Sequence, residues 1–253
     1  MDWKTLAATL FPLGHAIGAQ DDFLSGTAQV GEQTIAVIGT TGHAPIGVEI
    51  ALAQAKAVLQ TVREAPGRPI LILVDTQGQR LRHRDEMLGI NSYMAHLGKC
   101  VDLARRQGHA VIGLVYDQAL SGGFITSGLM ADACYALPGA TIRVMGLPAM
   151  ARITKVPLET LTELAKSNPV FAPGPENYLR MGGLQEIWHD DLARRLAEAL
   201  RLVEDGRAAE QSGAQSGGPA GDRRSALGLA RGGRLCAQPV IDAIVAGGHV
   251  RPA

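Results

Sequence analysis

Pro69-Ile-Leu-Ile-Leu-Val-Asp-Thr-Gln-Gly78 is an unbroken apolar, β-prone run that closes on a polar turn ending in glycine. Without polar alternation, such a run reads as a parallel strand covered on both faces. A second run, Ala110 to Tyr116, leads to Ser121-Gly-Gly123 and then to a helix-like stretch, Phe124 to Met130. Between the two lies a long segment of helical period. Strand, helix, strand, turn and helix in that order predict right-handed βαβ units around a mostly parallel sheet, an α/β fold. In a parallel sheet both strands end on the same edge, so the turns Asp75–Gly78 and Leu120–Gly123 are expected side by side, where ligands bind in such sheets.

Working outward, Ala28 to Gly39 reads as a hairpin turning at Gly31-Glu32, with Thr34 to Ile38 its stronger strand. From Ile46 to Val62, Ile46, Ile50, Val58 and Val62 recur at spacings of three and four with Ala51 and Ala55 among them, which predicts an amphipathic helix ending near Pro66-Gly67. A second helix is predicted from Arg84 to Gln107, with Leu88, Met94, Leu97, Val101 and Ala104 buried and Gly108 as its stop. Ala133–Leu137 and Thr141–Met145 read as short strands, and Glu159–Lys166 as helical. Pro169, Pro173 and Pro175 make Ser167–Glu176 an extended or turning connection. Asp190–Val203 carries Leu192, Leu196, Leu200 and Val203 on one side, a packing or subunit-interface helix. The stretch Gly206–Gly233, rich in Gly, Ala, Ser, Gln and Arg, is expected to be mobile, and Pro239–Val245 to return as a short helix. The division that follows is a main domain over 1–205, a flexible segment over 206–233 and a C-terminal helical segment over 234–253. No repeat of fixed period is present.

Composition narrows the function. In 253 residues, Lys+Arg 24 balance Asp+Glu 24, and no basic run is interleaved with aromatics, so nucleic acid is not an expected partner. The three cysteines, Cys100, Cys134 and Cys236, are far apart and lack histidines at ligand spacing, which reads as reduced thiols without a metal site. No leader-like start and no apolar window of about 18 residues is found, so a cytoplasmic protein that neither spans nor inserts into membrane is expected.

The chemistry gathers at the glycines. Lacking a Cβ, Gly122 and Gly123 let a ligand approach the backbone, and the following helix adds unpaired N–H groups and the positive end of its dipole. Backbone donors from Gly78 or Gln79 and from Gly122 or Gly123, converging on one atom, would form an oxyanion hole. A tight turn whose glycines only relieve crowding is the plainer alternative.

Val74-Asp-Thr-Gln-Gly78 with Ser121-Gly-Gly123 resembles the carboxyltransferase branch of the crotonase superfamily, where an Asp-Thr-x-Gly loop and a Ser-Gly-Gly turn stand in this order. The nearer resemblance is to the γ subunits of biotin-independent malonate decarboxylases. It rests on Leu73-Val-Asp-Thr-Gln-Gly-Gln79, Ser121-Gly-Gly-Phe-Ile-Thr-Ser-Gly128, Met145-Gly-Leu-Pro-Ala-Met-Ala151 and Ser167-Asn-Pro-Val-Phe-Ala-Pro173, motifs within roughly residues 30 to 205. Where the carboxyltransferase pattern carries more glycine, this chain reads Tyr116-Asp-Gln-Ala-Leu120, which argues against biotin-dependent transfer. The resemblance implies a crotonase-like spiral of ββα units working beside a homologous β subunit. It implies decarboxylation of malonyl-S-acyl-carrier-protein to acetyl-S-acyl-carrier-protein and CO2, through an enolate held by Gly122, Gly123, Gly78 and Gln79. No cofactor bound by this chain, no metal and no biotin are implied; the substrate arrives on the coenzyme-A-like arm of an acyl carrier protein, and an acyl-carrier-protein transferase subunit is a further implied partner.

Other residues carry weaker expectations. Ser121, Arg80 and Arg82 are candidates to meet substrate or the phosphate of the carrier arm, although a basic stretch at Arg80, Arg82, His83 and Arg84 also reads as a solvated helix entry. Asp75 is expected to hold the Gly78 loop by accepting backbone N–H bonds. His43 reads as part of a turn, and His189 as a helix start beside Asp190 and Asp191. Two other functions fit the same pattern. One is a serine hydrolase with Ser121 as nucleophile and His189 or His249 as base; the other is a non-catalytic scaffold subunit.

Overall fold

The computed structural model describes residues 1–166, 174–211, 223–233 and 237–247. The chain opens with α1 (Trp3–Leu10), whose first turn is capped by the Asp2 carboxylate accepting from the N–H groups of Lys4 and Thr5. An antiparallel meander follows: β1 (Gly18–Gln20), β2 (Phe23–Val30) and β3 (Gln33–Thr40). Then come β4 (Ala44–Ile46), α2 (Val48–Glu64), β5 (Ile70–Gln79), α3 (His83–Met87), α4 (Ile90–Arg106) and β6 (Val111–Leu120). Beyond β6 lie the single-turn helix α5 (Ser121–Ile125), a 3-10 turn at Gly128–Met130, β7 (Ala133–Ala136), β8 (Thr141–Arg143), α6 (Leu147–Thr154) and α7 (Leu158–Leu164). The remaining elements are α8 (Pro175–Arg180), β9 (Glu186–Ile187), α9 (Leu192–Gln211), α10 (Arg223–Ala230) and α11 (Ala237–Ala246).

The strands form one sheet in the order β1-β2-β3-β5-β6-β7-β9. From β3 onward every pairing is parallel, with Leu71 opposite Ile112 and Leu73 opposite Leu114 at its centre. At the carboxyl edge the neighbours change. β4 takes over beside β5 from β3, and β8 takes over beside β6 from β7. Each central strand is thereby bracketed twice, by a first strand along its body and a second along its tip, which is the ββα arrangement expected of the spiral.

Both faces of the sheet are covered, as the unbroken apolar runs require. Val37, Leu71, Leu73, Ile112, Leu114 and Tyr116 point to one side, against Leu6 and Leu10 of α1 and Leu196 and Leu200 of α9. Ile38, Ile72, Val74 and Val115 point to the other, against Ala55 and Val58 of α2 and Leu97, Val101 and Ala104 of α4. Each fully buried leucine or valine contributes about 1.5–3 kcal/mol. The stripe Leu192, Leu196, Leu200 and Val203 is buried throughout, so α9 is a packing helix within this chain.

Several boundaries differ from those read in the sequence. β5 does not stop at Asp75 but runs to Gln79, because β4 continues the ladder beside it. β6 likewise runs to Leu120. Ile46 belongs to β4, and α2 starts only at Val48. The helix expected over Arg84–Gln107 is two helices broken at Leu88-Gly89, where Gly89 takes φ 74. Leu88 sits on that break and is exposed, while Met94, Leu97, Val101 and Ala104 are buried as expected. The helix expected over Phe124–Met130 is the short α5 plus a 3-10 turn. Residues 206–211 continue α9, and 223–230 form α10, so the boundary drawn at 205 falls inside a helix. The motif Ser167–Pro173 and Cys236 lie outside the described residues. Cys100 and Cys134 are free thiols, both buried.

Candidate functional site at the carboxyl edge of the sheet

The two glycine turns meet. A Cβ placed on Gly123 would lie 3.2 Å from the Cα of Gly78, 3.0 Å from Thr76 Oγ1 and 2.9 Å from Ile46 Cγ1. One placed on Gly78, at φ 94, would lie 2.9 Å from the Cβ of Ser121. The first turn of α5 is therefore pressed against the tip of β5 at a distance that only glycine permits on either side. Gly122 is next to this contact, with Met94 Cε 2.9 Å and Gln79 Oε1 3.5 Å from where its Cβ would be.

Local hydrogen bonding fixes the turn. The carbonyl of Gly122 accepts from Thr126 Oγ1 at 2.8 Å and that of Gly123 from Ser127 Oγ at 2.6 Å, so a one-turn helix keeps its carbonyls satisfied. The N–H groups of Ser121, Gly122 and Gly123 open the helix and have no acceptor within it. Ser121 itself is held at φ 49, a strained value for a residue with a side chain. Its hydroxyl donates to the carbonyl of Val144, which ties the turn to the loop after β8.

On the β5 side, Thr76 is the organising residue that sequence reasoning missed. Buried to 1% exposure, its Oγ1 donates to Ala44 O at 2.6 Å and accepts from the Gly78 N–H at 2.9 Å. The hydroxyl-to-N–H reach of two residues is the turn habit of Ser and Thr, and a threonine two before a glycine at a strand end was its signal. The Gly78 N–H is consequently occupied, which corrects its assignment as a free donor and leaves Gln79 as the candidate on this side. Asp75 does not hold the Gly78 loop. Its carboxylate accepts from the N–H of His43 at 2.9 Å and of Gln118 at 3.3 Å, joining the approach to β4 and the tip of β6. The β5–β6 register jumps there from Val74–Val115 to Thr76–Ala119, so Tyr116, Asp117 and Gln118 bulge, and Asp75 fastens the bulge. Burial raises the Asp75 carboxyl above the usual range.

His43 stands at φ 53 with Nε2 3.2 Å from Asp117 Oδ1 and 3.7 Å from Asp75 Oδ1. Among the described residues these three are close enough to share a metal ion. Both oxygens of Asp75 already accept backbone N–H bonds, and His43 meets Asp117 directly, so the cluster is satisfied through protein contacts.

The basic stretch divides. Arg80 is turned inward: Nε and Nη2 meet the two oxygens of Asp85 at 2.8 and 2.9 Å, and Nη2 also meets Glu49 at 2.6 Å. Its fork is filled by carboxylates, which corrects its assignment to a phosphate. Arg84 pairs with Glu49 as well. Arg82 is exposed at the start of α3 and meets no carboxylate among the described residues. His189 is exposed beside Trp188, which packs with Tyr135 in the layer holding α1 and α9. Phe124 of α5 packs in the other layer. A Ser121–His189 pair is not assembled: the Ser121 hydroxyl is bonded to the carbonyl of Val144, and no hydrogen bond joins it to His189 among the described residues. His249 lies outside the described residues.

No helix among the described residues is long and apolar enough to cross a membrane. Residues 41–248 match the family model described as malonate decarboxylase gamma subunit. The malonyl-S-ACP:biotin-protein carboxyltransferase MADD of Malonomonas rubra is 34% identical over 231 residues, which cover 83% of this chain and 78% of that protein. A chain of a Pseudomonas malonate decarboxylase hetero-tetramer, solved in complex with coenzyme A, is 28% identical, with a TM-score of 0.71 over 95% of each chain. A chain of the transcarboxylase 12S hexamer shares the fold at 20% identity, with a TM-score of 0.68 over 81% of this chain and 42% of that one. The crotonase-like α/β fold implied by the resemblance is the fold observed. Through its match over most of its length and its relation to MADD, the chain belongs to the malonate decarboxylase gamma subunit family and is a subunit of a decarboxylase.

Proposed function

We propose that this chain works with a homologous β subunit to decarboxylate a malonyl thioester carried on an acyl carrier protein, and that its share of the chemistry is backbone stabilisation of the enolate. The observation that supports this is the contact of Gly123 with Gly78, which sets the open N–H groups of α5 beside the tip of β5. Loss of CO2 from a malonyl thioester leaves negative charge on the thioester oxygen, and the α-carbon of the enolate then takes up a proton to give the acetyl thioester. The barrier then depends on how well that oxygen is met by donors already in place. Each such donor in a dry site is worth roughly 3 kcal/mol, or a hundredfold or more in rate. The N–H groups of Gly122 and Gly123 are the donors on one side, and Gln79 supplies the other. Of the three arginines in the basic stretch, Arg82 is the one whose setting suits the phosphates of the carrier arm, since Arg80 and Arg84 are paired with carboxylates.

Two relatives support the substrate class: MADD acts on malonyl-S-ACP, and the Pseudomonas hetero-tetramer was solved with coenzyme A. MADD also names a biotin protein as its acceptor, so carboxyl transfer to biotin is the competing reading. The test is CO2 release from malonyl thioesters of acyl carrier protein and of coenzyme A, with this chain alone and co-expressed with its β partner. Release by the complex alone, unaffected by avidin, is expected. Release abolished by avidin would establish the biotin route, and no release in any combination would overturn both.

A further inference from the structure

Asp85 is the most deeply buried charged residue described, at 0% exposure, and it stands outside the glycine turns. Its carboxylate takes three donors: Nε and Nη2 of Arg80, and the N–H of Val48 at 3.1 Å, the first residue of α2. Arg80 is fixed from the main chain too, its N–H donating to Ile46 O at 2.8 Å. The guanidinium lies across Gly47, where a Cβ would come within 2.6 Å of Arg80 Nε. The end of β4, the start of α2, the tip of β5 and α3 are thus joined at one buried carboxylate. The residue before Arg80 is Gln79, whose side chain borders Gly122.

We propose that Asp85 is a positioning residue for the reaction, acting through Arg80 to hold Gln79 and Gly78 at the distance from α5 that the enolate requires. The inference rests on the proposed function for its catalytic consequence and on the geometry alone for its mechanical one. A bidentate fork fixes Arg80 in orientation as well as position, so the backbone of Gln79 has no freedom to swing. Donors misplaced by about 1 Å lose on the order of a hundredfold in rate.

The test uses the co-expressed complex with Asp85→Asn and with the double variant Arg80→Met/Asp85→Leu. Replacing a buried ion pair by apolar residues of similar volume keeps or raises stability, so the double variant separates folding from positioning. For Asp85→Asn, kcat for CO2 release is expected to fall about a hundredfold with KM within about threefold of wild type. The double variant is expected to recover thermal stability and to keep the low kcat. Recovery of both, or an Asp85→Asn kcat within about threefold of wild type, would overturn the proposal. Hydrogen exchange supplies a readout that needs no activity. Amides 77–80 should exchange faster in both variants while amides 111–116 keep their protection; unchanged exchange at 77–80 would overturn the proposal even if the wild-type complex released no CO2. Absence of wild-type CO2 release with faster exchange at 77–80 would overturn the catalytic reading and retain Asp85 as the clamp on Gln79.

Discussion

At the scale of single residues, the two glycines of α5 are not equivalent, and a test of the hole has to respect the difference. Around Gly123 the neighbours are the Cα of Gly78, Ile46 and the bonded Thr76, all within 3.2 Å of a new Cβ and none able to swing away. Gly123→Val should therefore destabilise the fold itself, by the 1–3 kcal/mol or more of an overpacked core, and its loss of activity would say little about chemistry. Around Gly122 the nearest atom is the terminal methyl of Met94, which can change rotamer. Gly122→Val is expected to fold, with a melting temperature within a few degrees of wild type, and to lose about a hundredfold or more in CO2 release because its side chain fills the space the enolate oxygen takes. A Gly122→Val complex of wild-type activity would show that the hole lies elsewhere or that this subunit is a scaffold. The two glycines were legible in the sequence as a turn between strand and helix, but not which of them relieves crowding: that is Gly123, pressed against the tip of β5. Thr76 offered only the weak signal of a threonine two before a glycine at a strand end; its hold on Ala44 and Gly78 comes from the fold.

At the scale of elements, the sequence reported the body of each strand and helix and misjudged the ends. The apolar patterning of Ile70–Val74 and Val111–Val115 is intrinsic to the chain, whereas the tips of β5 and β6 are strands only because β4 and β8 lie beside them. The α3–α4 break was masked because Leu88 continues the helical period across Gly89, and tertiary anchoring of α3 at Asp85 overrides that period. This junction is also where pH should act. The Arg80 guanidinium, followed by the Val48 N–H, holds the Asp85 carboxyl at about 2 against its burial. A carboxyl lowered by folding stabilises the native state above its ordinary range, near 4, and that contribution is lost as pH falls through about 2. Asp85→Asn should cost about 1.5–3 kcal/mol at neutral pH, since the half-buried Arg80 then keeps only Glu49 as a charged partner. The gap between wild type and variant, followed by urea denaturation at successive pH values, should narrow from pH 4 downward. A gap that stays constant to pH 2 would mean that Asp85 is not ionised in the folded state.

For the whole molecule, the tail matters more than its composition suggested. A segment rich in Gly, Ala and Ser reads as mobile because it buries little, yet α10 is attached by arginine rather than by apolar packing, a mode that no hydrophobic period reveals. Arg231 donates to the carbonyls of Leu179, Leu184 and Gln185, at 2.7, 2.8 and 2.8 Å, and Arg224 donates to those of Leu129 and Ala131. The first set spans the connection from α8 to β9; the second sits directly behind the 3-10 turn that follows α5. Burial lowers the Arg231 guanidinium from its ordinary range, and its normal value is high enough that it stays charged at neutral pH. Charged donors on carbonyls are worth about 1.5–3 kcal/mol. Arg231→Ala is therefore expected to lower stability by about 2 kcal/mol, which in a chain of this size is roughly 4–8 °C in melting temperature. Because Arg231 touches neither β5 nor α5, CO2 release per folded complex should be unchanged, and protease should cut the tail near α10 before the rest of the chain. Thermal melts with limited proteolysis decide the matter: an unshifted melt would show that α10 contributes nothing to the domain, whereas loss of activity without loss of stability would show that the tail communicates with the glycine turns through Leu129 and Ala131.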